Sequence, residues 1–474
     1  MSNVRIMAKN TTVLFVSQLL TYVIGFFVTI YSARYLGVEG YGILSYALAL
    51  GGILIVFTEL GLSTLSIREI SRDKSLAQKY TSNILVIKVV LSLITILATF
   101  VIVNVMNYPQ NTAYIIYIIM GSYVINAFTT ILSSLSQAYE KMEYLSLGSI
   151  LNSIIMLMGV LLVTHYQLGI VIFASIYLFD NLICLIYWII ISAWKFILPK
   201  IEFDWNFSKI TMKESIPFAI TGIFALIAFR IDTVMLSLLS GDVAVGFYTA
   251  AYKLMEVMIF IPAVYVTSIY PIFSRFHVSS RDILKFSYEK SFQYMIILSL
   301  PIAVGTTLLA DEIILLIYQS GFAASIVALQ IVIWAIPLIF FNNVLATSMA
   351  SINKQRDAMK IVFFAMIFNI IMNLIFIPLY GFMAAACVTV LTELFTFTFY
   401  ARNMSRYGFK IHLTKILSKP VIASLVMGIF ITLINLNLFL EIFISVIIYF
   451  GVLFLLKTFK EEDFDLIKQM KNKE

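Results

Sequence analysis

The sequence predicts an all-α polytopic membrane protein of fourteen transmembrane helices, built as two six-helix lobes followed by two further helices. Three observations predict it. Of the 474 residues, 61% are hydrophobic and 12% charged, roughly half the charged share of a soluble domain. The mean hydropathy is +0.99, so apolar side chains must face something other than water along most of the chain. The apolar residues also come in long runs separated by short polar segments. A bilayer core ~30 Å thick is crossed by roughly 20 helical residues. Lipid cannot satisfy free backbone groups, so long runs without period-two alternation read as helices and not as barrel strands.

The runs fall near 12–33, 41–65, 81–105, 113–138, 146–164, 168–192, 215–239, 245–272, 291–310, 323–350, 360–378, 382–401, 417–436 and 440–456. Basic residues test this count, because they gather in cytoplasmic loops. With the N-terminus inside and the loops alternating, 28 of the 32 Lys and Arg fall in inner segments. Arg34 alone lies outside, and Lys88, Arg230 and Lys253 lie within runs. One missed or invented helix would scramble that pattern. Both termini are therefore expected in the cytoplasm, in a multi-pass protein of the cell (inner or plasma) membrane. The first run lacks a small-residue cleavage site and reads as a span, not a removed signal peptide. The outer loops are too short for a soluble domain. The longest inner connector holds Pro199 and mixed charges and reads as a hinge. The expected organisation is 1–193 (first lobe, helices 1–6), 194–214 (cytoplasmic connector), 215–405 (second lobe, helices 7–12), 406–456 (helices 13–14) and 457–474 (cytoplasmic tail).

The net charge of +7 is spread over short loops, which excludes a nucleic-acid partner. Cys184 and Cys387 sit far apart inside apolar runs, and His165, His277 and His412 are scattered, so neither a disulfide framework nor a metal site is expected. No Walker A loop, His-Glu-x-x-His or Gly-x-Gly-x-x-Gly occurs, and no enzymatic role is expected. Asp463-Phe464-Asp465 has the form of a metal-binding Asp-x-Asp, but it lies in a charged tail that reads as a solvated amphipathic helix.

An internal repeat underlies the lobes. Leu36-Gly37-Val38-Glu39-Gly40-Tyr41-Gly42 precedes Ser45-Tyr46-Ala47 as Leu239-Ser240-Gly241-Asp242 and Gly246 precede Thr249-Ala250-Ala251-Tyr252. Glu140-Lys141-Met142-Glu143 matches Lys354-Gln355-Arg356-Asp357, and Leu168-Gly169-Ile170 matches Tyr380-Gly381-Phe382. Asp180 and Glu393 follow those last glycines at nearly equal distances. Two such lobes imply a central cavity and alternating access. Pro217, Pro262, Pro301 and Pro337 should bend helices 7 to 10.

Charges within spans are costly and mark function. Arg230 and Lys253 fall in the outer half of the bilayer, Lys88 about two turns from the inner end of its span, and Asp180, Glu256 and Glu393 near the midplane. Lys88, Arg230 and Lys253 read as a cationic cavity able to hold a diphosphate, with Arg as a planar fork and Lys as a point charge. The structural alternative is internal pairing. Lys253 and Glu256 are spaced to neutralise each other, Arg230 and Asp232 are not, and Lys88 could snorkel to the inner surface. Asp180, Glu393 and Glu256 are the candidate positions for a coupling proton or sodium ion. For Asp180 and Glu393 the alternative is a carboxylate hydrogen-bonded to Asn or Tyr. Glu59 reads as a surface contact.

Ser32-Ala33-Arg34-Tyr35-Leu36-Gly37 through Gly42, Glu59-Leu60-Gly61-Leu62 with Arg68-Glu69, and Asp232 through Met235-Leu236, Val245-Gly246-Phe247-Tyr248 and Ala250-Ala251-Tyr252-Lys253 resemble the Wzx-type polysaccharide-biosynthesis flippases. The resemblance covers nearly the whole chain, most weakly after about 410. It implies the MATE-like inverted-V fold of the multidrug/oligosaccharidyl-lipid/polysaccharide exporter superfamily. It also implies transfer of polyprenyl-diphosphate-linked oligosaccharide from the cytoplasmic to the outer leaflet. The partners so implied are the lipid-linked oligosaccharide, membrane lipids and the glycan polymerase or glycosyltransferases of the same pathway. One rival is a cation-coupled multidrug exporter of the superfamily, which often carries an acid in helix 1, whereas no charge lies between Lys9 and Arg34 here. The lipid II flippase branch carries an arginine in that helix, also lacking here. A membrane glycan polymerase or glycosyltransferase would need a large outer loop.

Overall fold

The computed structural model describes residues 3–200, 202–434 and 436–458, with the side chains of 3–12, 217, 218, 220–222, 225 and 278 excepted. The Asp463-Phe464-Asp465 triplet and the tail beyond 458 lie outside the described residues. Among those described, the chain is helical and has no strand. The helices are α1 (Asn3–Leu54), α2 (Val56–Glu59), α3 (Leu62–Arg72), α4 (Ala77–Val105), α5 (Gln110–Ala138), α6 (Met142–His165), α7 (Ile170–Ile191), α8 (Trp205–Ser240), α9 (Asp242–Met258), α10 (Phe260–Ser279), α11 (Arg281–Leu308), α12 (Ala310–Tyr318), α13 (Ser325–Val332), α14 (Ala335–Ser351), α15 (Gln355–Arg406), α16 (Leu413–Leu433) and α17 (Leu438–Leu455). Eleven helical stretches among the described residues are long and apolar enough to cross a membrane. Large apolar side chains such as Leu97, Leu425, Phe443 and Phe454 lie exposed along them, a surface that suits lipid and not water.

Two of these stretches carry two of the predicted runs each. In α1 the backbone leaves helical geometry at Gly37, with φ at 65°, a conformation that costs a residue without Cβ little. The chain reverses there. Before Gly37, Ser17 bonds Ser146 at the start of α6 (3.1 Å), and Tyr35 donates to Leu168 just past its end. After Gly37, the backbone carbonyl of Leu48 accepts from Tyr123 of α5 (3.1 Å), and Glu59 accepts from Thr130 one helical segment further along α5 (3.2 Å). The first half of α1 thus runs with α6 and the second with α5. Because α5 and α6 are joined by a tight turn and antiparallel, so are the two halves of α1. In α15, Gly381 has φ at 56°. Asp357 meets Tyr407, Phe368 stacks on Phe395 and Asn369 meets Thr392, pairs that straddle Gly381 at matching distances.

The chain divides into two compact units, Met1–Gly246 and Phe247–Glu474. The run at 215–239, placed by the sequence with the second lobe, packs with the first unit. The connector is tied down there. Asp204 caps α8 by accepting from the Phe207 amide (3.0 Å), its own amide donates to Asn83 of α4 (2.7 Å), and Glu214 accepts from Arg68 of α3 (3.3 Å). The core of this unit is Leu44, Ala47, Ile115, Ile119, Val160 and Phe173 toward one end, and Leu62, Leu65, Ile84, Ile131 and Leu135 toward the other. Apolar burial between helices has little driving force in lipid, so close approach and polar contacts specify the packing. Gly42 shows this. A Cβ there would stand 1.8 Å from the Asp242 carbonyl oxygen, and one at Gly246 would stand 2.1 Å from that of Val38.

In the second unit two of the expected prolines coincide with helix breaks. Pro262 and Pro337 lack the N–H that would bond four residues back, at Met258 and Ile333. The helix breaks at Ile259, between α9 and α10, and at Ile333–Trp334, between α13 and α14. α11 continues through Pro301, and the carbonyl this proline would leave unbonded, that of Ile297, accepts instead from the hydroxyl of Tyr449 on α17 (2.9 Å). Ile297, Ala423, Met427, Tyr449 and Leu453 form the core that holds α16 and α17 to α11.

Candidate functional site

The three candidate cations have different surroundings. Lys88 on α4 has 0% of its side chain exposed. Its ammonium bonds Glu59 (2.5 Å), the Ala127 carbonyl (2.7 Å), Thr130 (3.0 Å) and Ser63 (3.3 Å). The alternative that Lys88 snorkels therefore fails, and Glu59, read as a surface contact, is about a third exposed but turns its carboxylate onto Lys88. Glu59 ends α2, where Leu60 and Gly61 turn left-handed and break the helix, and the break presents the carboxylate to α4 and α5. Four neighbouring oxygens satisfy the three ammonium donors, as a buried charge requires. Lys253 on α9 pairs with Glu256 at 2.5 Å, one helical turn on, the internal pairing that the spacing allowed.

Arg230 differs from both. It lies half-buried on α8, and among the described residues no carboxylate pairs with it. Its guanidinium carbon stands 5.0 Å from the Phe229 ring centre, and its charge reaches Tyr123 on α5. Tyr123 sits where Gly51 leaves room, since a Cβ on Gly51 would meet the tyrosine ring at 2.7 Å.

Tyr123 begins a polar seam through the first unit. Tyr177 on α7 lies within electrostatic reach of Tyr123, and Asp180 follows it one helical turn on. Asp180 is buried and accepts from Asn152 of α6 (2.5 Å). The adjacent Asn181 accepts from Asn126 of α5 (2.9 Å) and donates to Ser122 (2.9 Å). The second unit has a counterpart. Half-buried Glu393 on α15 accepts from Asn342 of α14 (2.7 Å), and its neighbour Thr392 accepts from Asn369 (3.3 Å). In both units two consecutive residues of the last repeat helix meet asparagines on two preceding helices. The carboxylate faces opposite partners in the two. Sequence reasoning placed Asp180 and Glu393 in matching positions, and both have the asparagine partner it offered as the structural alternative. It missed Tyr123, Asn126, Asn152, Tyr177 and Asn181, although Tyr123/Asn126 and Tyr177/Asp180/Asn181 have the three- and four-residue spacing of one helix face.

Among the described residues, two cavities stand out in the second unit. One of about 300 Å³ is apolar and lined by Leu298, Pro301 and Ile302 of α11, Met427 and Ile431 of α16, and Val446 and Phe450 of α17. The other, about 290 Å³, is basic and lies toward the N-terminal turns of α11 and α16. Outside the apolar stretches, Tyr407 donates to Asp357 (2.6 Å), and this bond pushes the phenol above its ordinary range.

Residues 7–277, more than half of the chain, match the family model of the polysaccharide biosynthesis proteins. The chain belongs to this family. Residues 217–375 of this polysaccharide biosynthesis protein also match the MatE model. Among solved structures it is similar to the lipid II flippase MurJ in an inward closed conformation, with a TM-score of 0.78 and 17% identity over 92% of this chain and 97% of that one. It is similar to an inward-facing multidrug resistance MATE family transporter of the MOP superfamily, with a TM-score of 0.66 and 14% identity over 82% and 94%. Likeness at such identities shows the fold, which is that of the MOP transporters. An uncharacterized membrane protein of Methanocaldococcus jannaschii is 25% identical over 177 residues, 36% of this chain. The match spans about a third of that relative, 34% of its length.

Proposed function

We propose that this protein carries a polyprenyl-diphosphate-linked oligosaccharide from the cytoplasmic to the outer leaflet of the cell membrane by alternating access, for surface polysaccharide synthesis. Family membership supports the polysaccharide class, and the likeness to a lipid II flippase supports a lipid-linked cargo. The observation that carries the reading is Arg230. An arginine within an apolar span is expensive, and Lys88 and Lys253 each have a carboxylate partner while Arg230 has none among the described residues. Its planar fork matches a diphosphate. Lys88 then acts as a structural cation, and Lys253 can reach a substrate only by leaving Glu256. The apolar cavity between α11, α16 and α17 suits a hydrocarbon tail. Asp180 and Glu393 remain the candidate sites for a coupling proton or sodium ion, and both termini are assigned to the cytoplasm. Membrane lipids and the polymerase or glycosyltransferases of the same pathway are the expected partners.

The MatE match favours one second reading, a cation-coupled multidrug exporter, whose cargo would need an anionic site where Arg230 stands. Deleting the gene and analysing membrane lipid intermediates together with surface glycan separates the two. A flippase leaves a complete lipid-linked unit accumulated on the cytoplasmic leaflet and no surface polymer. Complementation with Arg230→Ala should reproduce the deletion, and Arg230→Lys should restore part of the polymer. Unchanged lipid intermediates in the deletion strain would overturn the flippase reading. Normal polymer with Arg230→Ala would remove Arg230 from it.

A further inference from the structure

The basic cavity lies in the second unit, where three segments converge. α11 supplies Glu289, Lys290 and Gln293, α16 supplies Lys415 and Lys419, and Thr458 closes it just beyond α17. The segments are tied together. Gln293 donates to the Thr458 carbonyl (3.2 Å), and Lys419 donates to that of Lys457 (2.8 Å). Glu289 is turned toward His412, 3.5 Å away. Lys415 and Lys419 against Glu289, which is shared with His412, leave the cavity cationic, and the N-terminal turns of α16 add the positive end of a helix dipole. Thr458 provides an independent sign of a ligand. It lines the cavity, is 4% exposed, and its hydroxyl has no partner among the described residues, which is costly unless something completes the site.

The cavity also sits at the edge of the lipid-facing surface. Apolar exposure begins on α16 at Val421 and Ile422, just after Lys419, and ends on α17 at Phe454 and Leu455, just before Thr458. A phosphate held here would have its hydrocarbon chains against those faces. We propose that this pocket binds the headgroup phosphate of an anionic membrane phospholipid. Its assignment to the cytoplasmic leaflet rests on the topology proposed above, but its chemistry does not.

The test is native mass spectrometry of the purified full-length protein with added phosphatidylglycerol or phosphatidylcholine. The wild type should retain phosphatidylglycerol in preference. Lys415→Ala and Lys419→Ala should each weaken retention about five-fold, and the two together about thirty-fold. Lys415→Arg/Lys419→Arg should keep it. Thr458→Val, which deletes only the hydroxyl, should lower retention and serves if the double alanine variant does not purify intact. Equal retention of the two lipids, or undiminished phosphatidylglycerol in the alanine and valine variants, would overturn the proposal. Displacement of the lipid by inorganic phosphate alone would assign the pocket to a free anion instead. Because the readout is lipid retention and not polymer export, a failure here leaves the flippase reading standing.

Discussion

Glu59→Gln should destabilise the protein more than Lys88→Met, and the double substitution less than Glu59→Gln alone. The asymmetry comes from exposure. Lys88 is 0% exposed and Glu59 35%. Glu59→Gln leaves an ammonium wholly enclosed with only neutral acceptors, the situation that costs ~3–5 kcal/mol when a buried pair loses one partner. Lys88→Met leaves a carboxylate that still accepts from the Ser63 amide (3.1 Å) and Thr130 (3.2 Å) and reaches the surface. Thr130 has a single proton, which serves either Glu59 or the Ala127 carbonyl (2.8 Å), so one of these acceptors loses a donor. That loss should be about 1–2 kcal/mol, the lower part of the range for an abandoned polar partner. The double variant removes both charges and should fall within ~1 kcal/mol of the wild type, since uncharged replacements of a buried pair are often neutral. Unfolding of the purified protein in mixed micelles of rising denaturing detergent measures all three. Equal losses for the two single variants, with no recovery in the double, would refute the argument. They would mean that the neutral bonds to Ala127 and Thr130, and not the charge pair, hold α4 in place.

Gly42→Ala and Gly246→Ala should each cost about 1–3 kcal/mol or prevent accumulation, because the new methyl would meet a backbone carbonyl. Gly25→Ala, where a Cβ meets nothing within 4 Å, should be neutral in the same denaturing-detergent assay. Tyr449→Phe should cost ~1–3 kcal/mol by leaving the Ile297 carbonyl unbonded. Pro301→Ala in that background should recover stability by restoring the helical N–H, and no recovery would sink the account. Reporter fusions should place both termini in the cytoplasm, and an outward C-terminus would contradict the charge count.

Much of the helical architecture was legible because lipid forces apolar runs to be helices, and the reversal points were legible as glycines. The Lys253–Glu256 pair could be read as well, since one helix fixes its spacing. The Lys88–Glu59 pair could not. Its members are 29 residues apart on different helices, and depth along a span does not say which face of the helix a residue occupies. The break at Leu60–Gly61 that turns Glu59 inward gave no more signal than a loop glycine. The seam from Tyr123 to Asp180 had the right spacing, but its tyrosines were indistinguishable from the many that line membrane interfaces. Placing α8 with the first unit needed contacts, Asp204 to Asn83 and Glu214 to Arg68, that join distant segments.

Gly42 lies against Asp242 while Gly246 lies against Val38, and each repeat pair, 38 with 242 and 42 with 246, is separated by the same number of residues. Each segment therefore gives the other the contact it receives. Between separate molecules this is an isologous interface, the mark of identical subunits meeting across a dyad. A chain with one copy of the segment would present a self-complementary patch and pair with its twin. With both copies on one chain the association is intramolecular and independent of protein concentration. Covalent joining also frees each copy to change alone, and the opposite partners chosen by Asp180 and Glu393 are one use of that freedom.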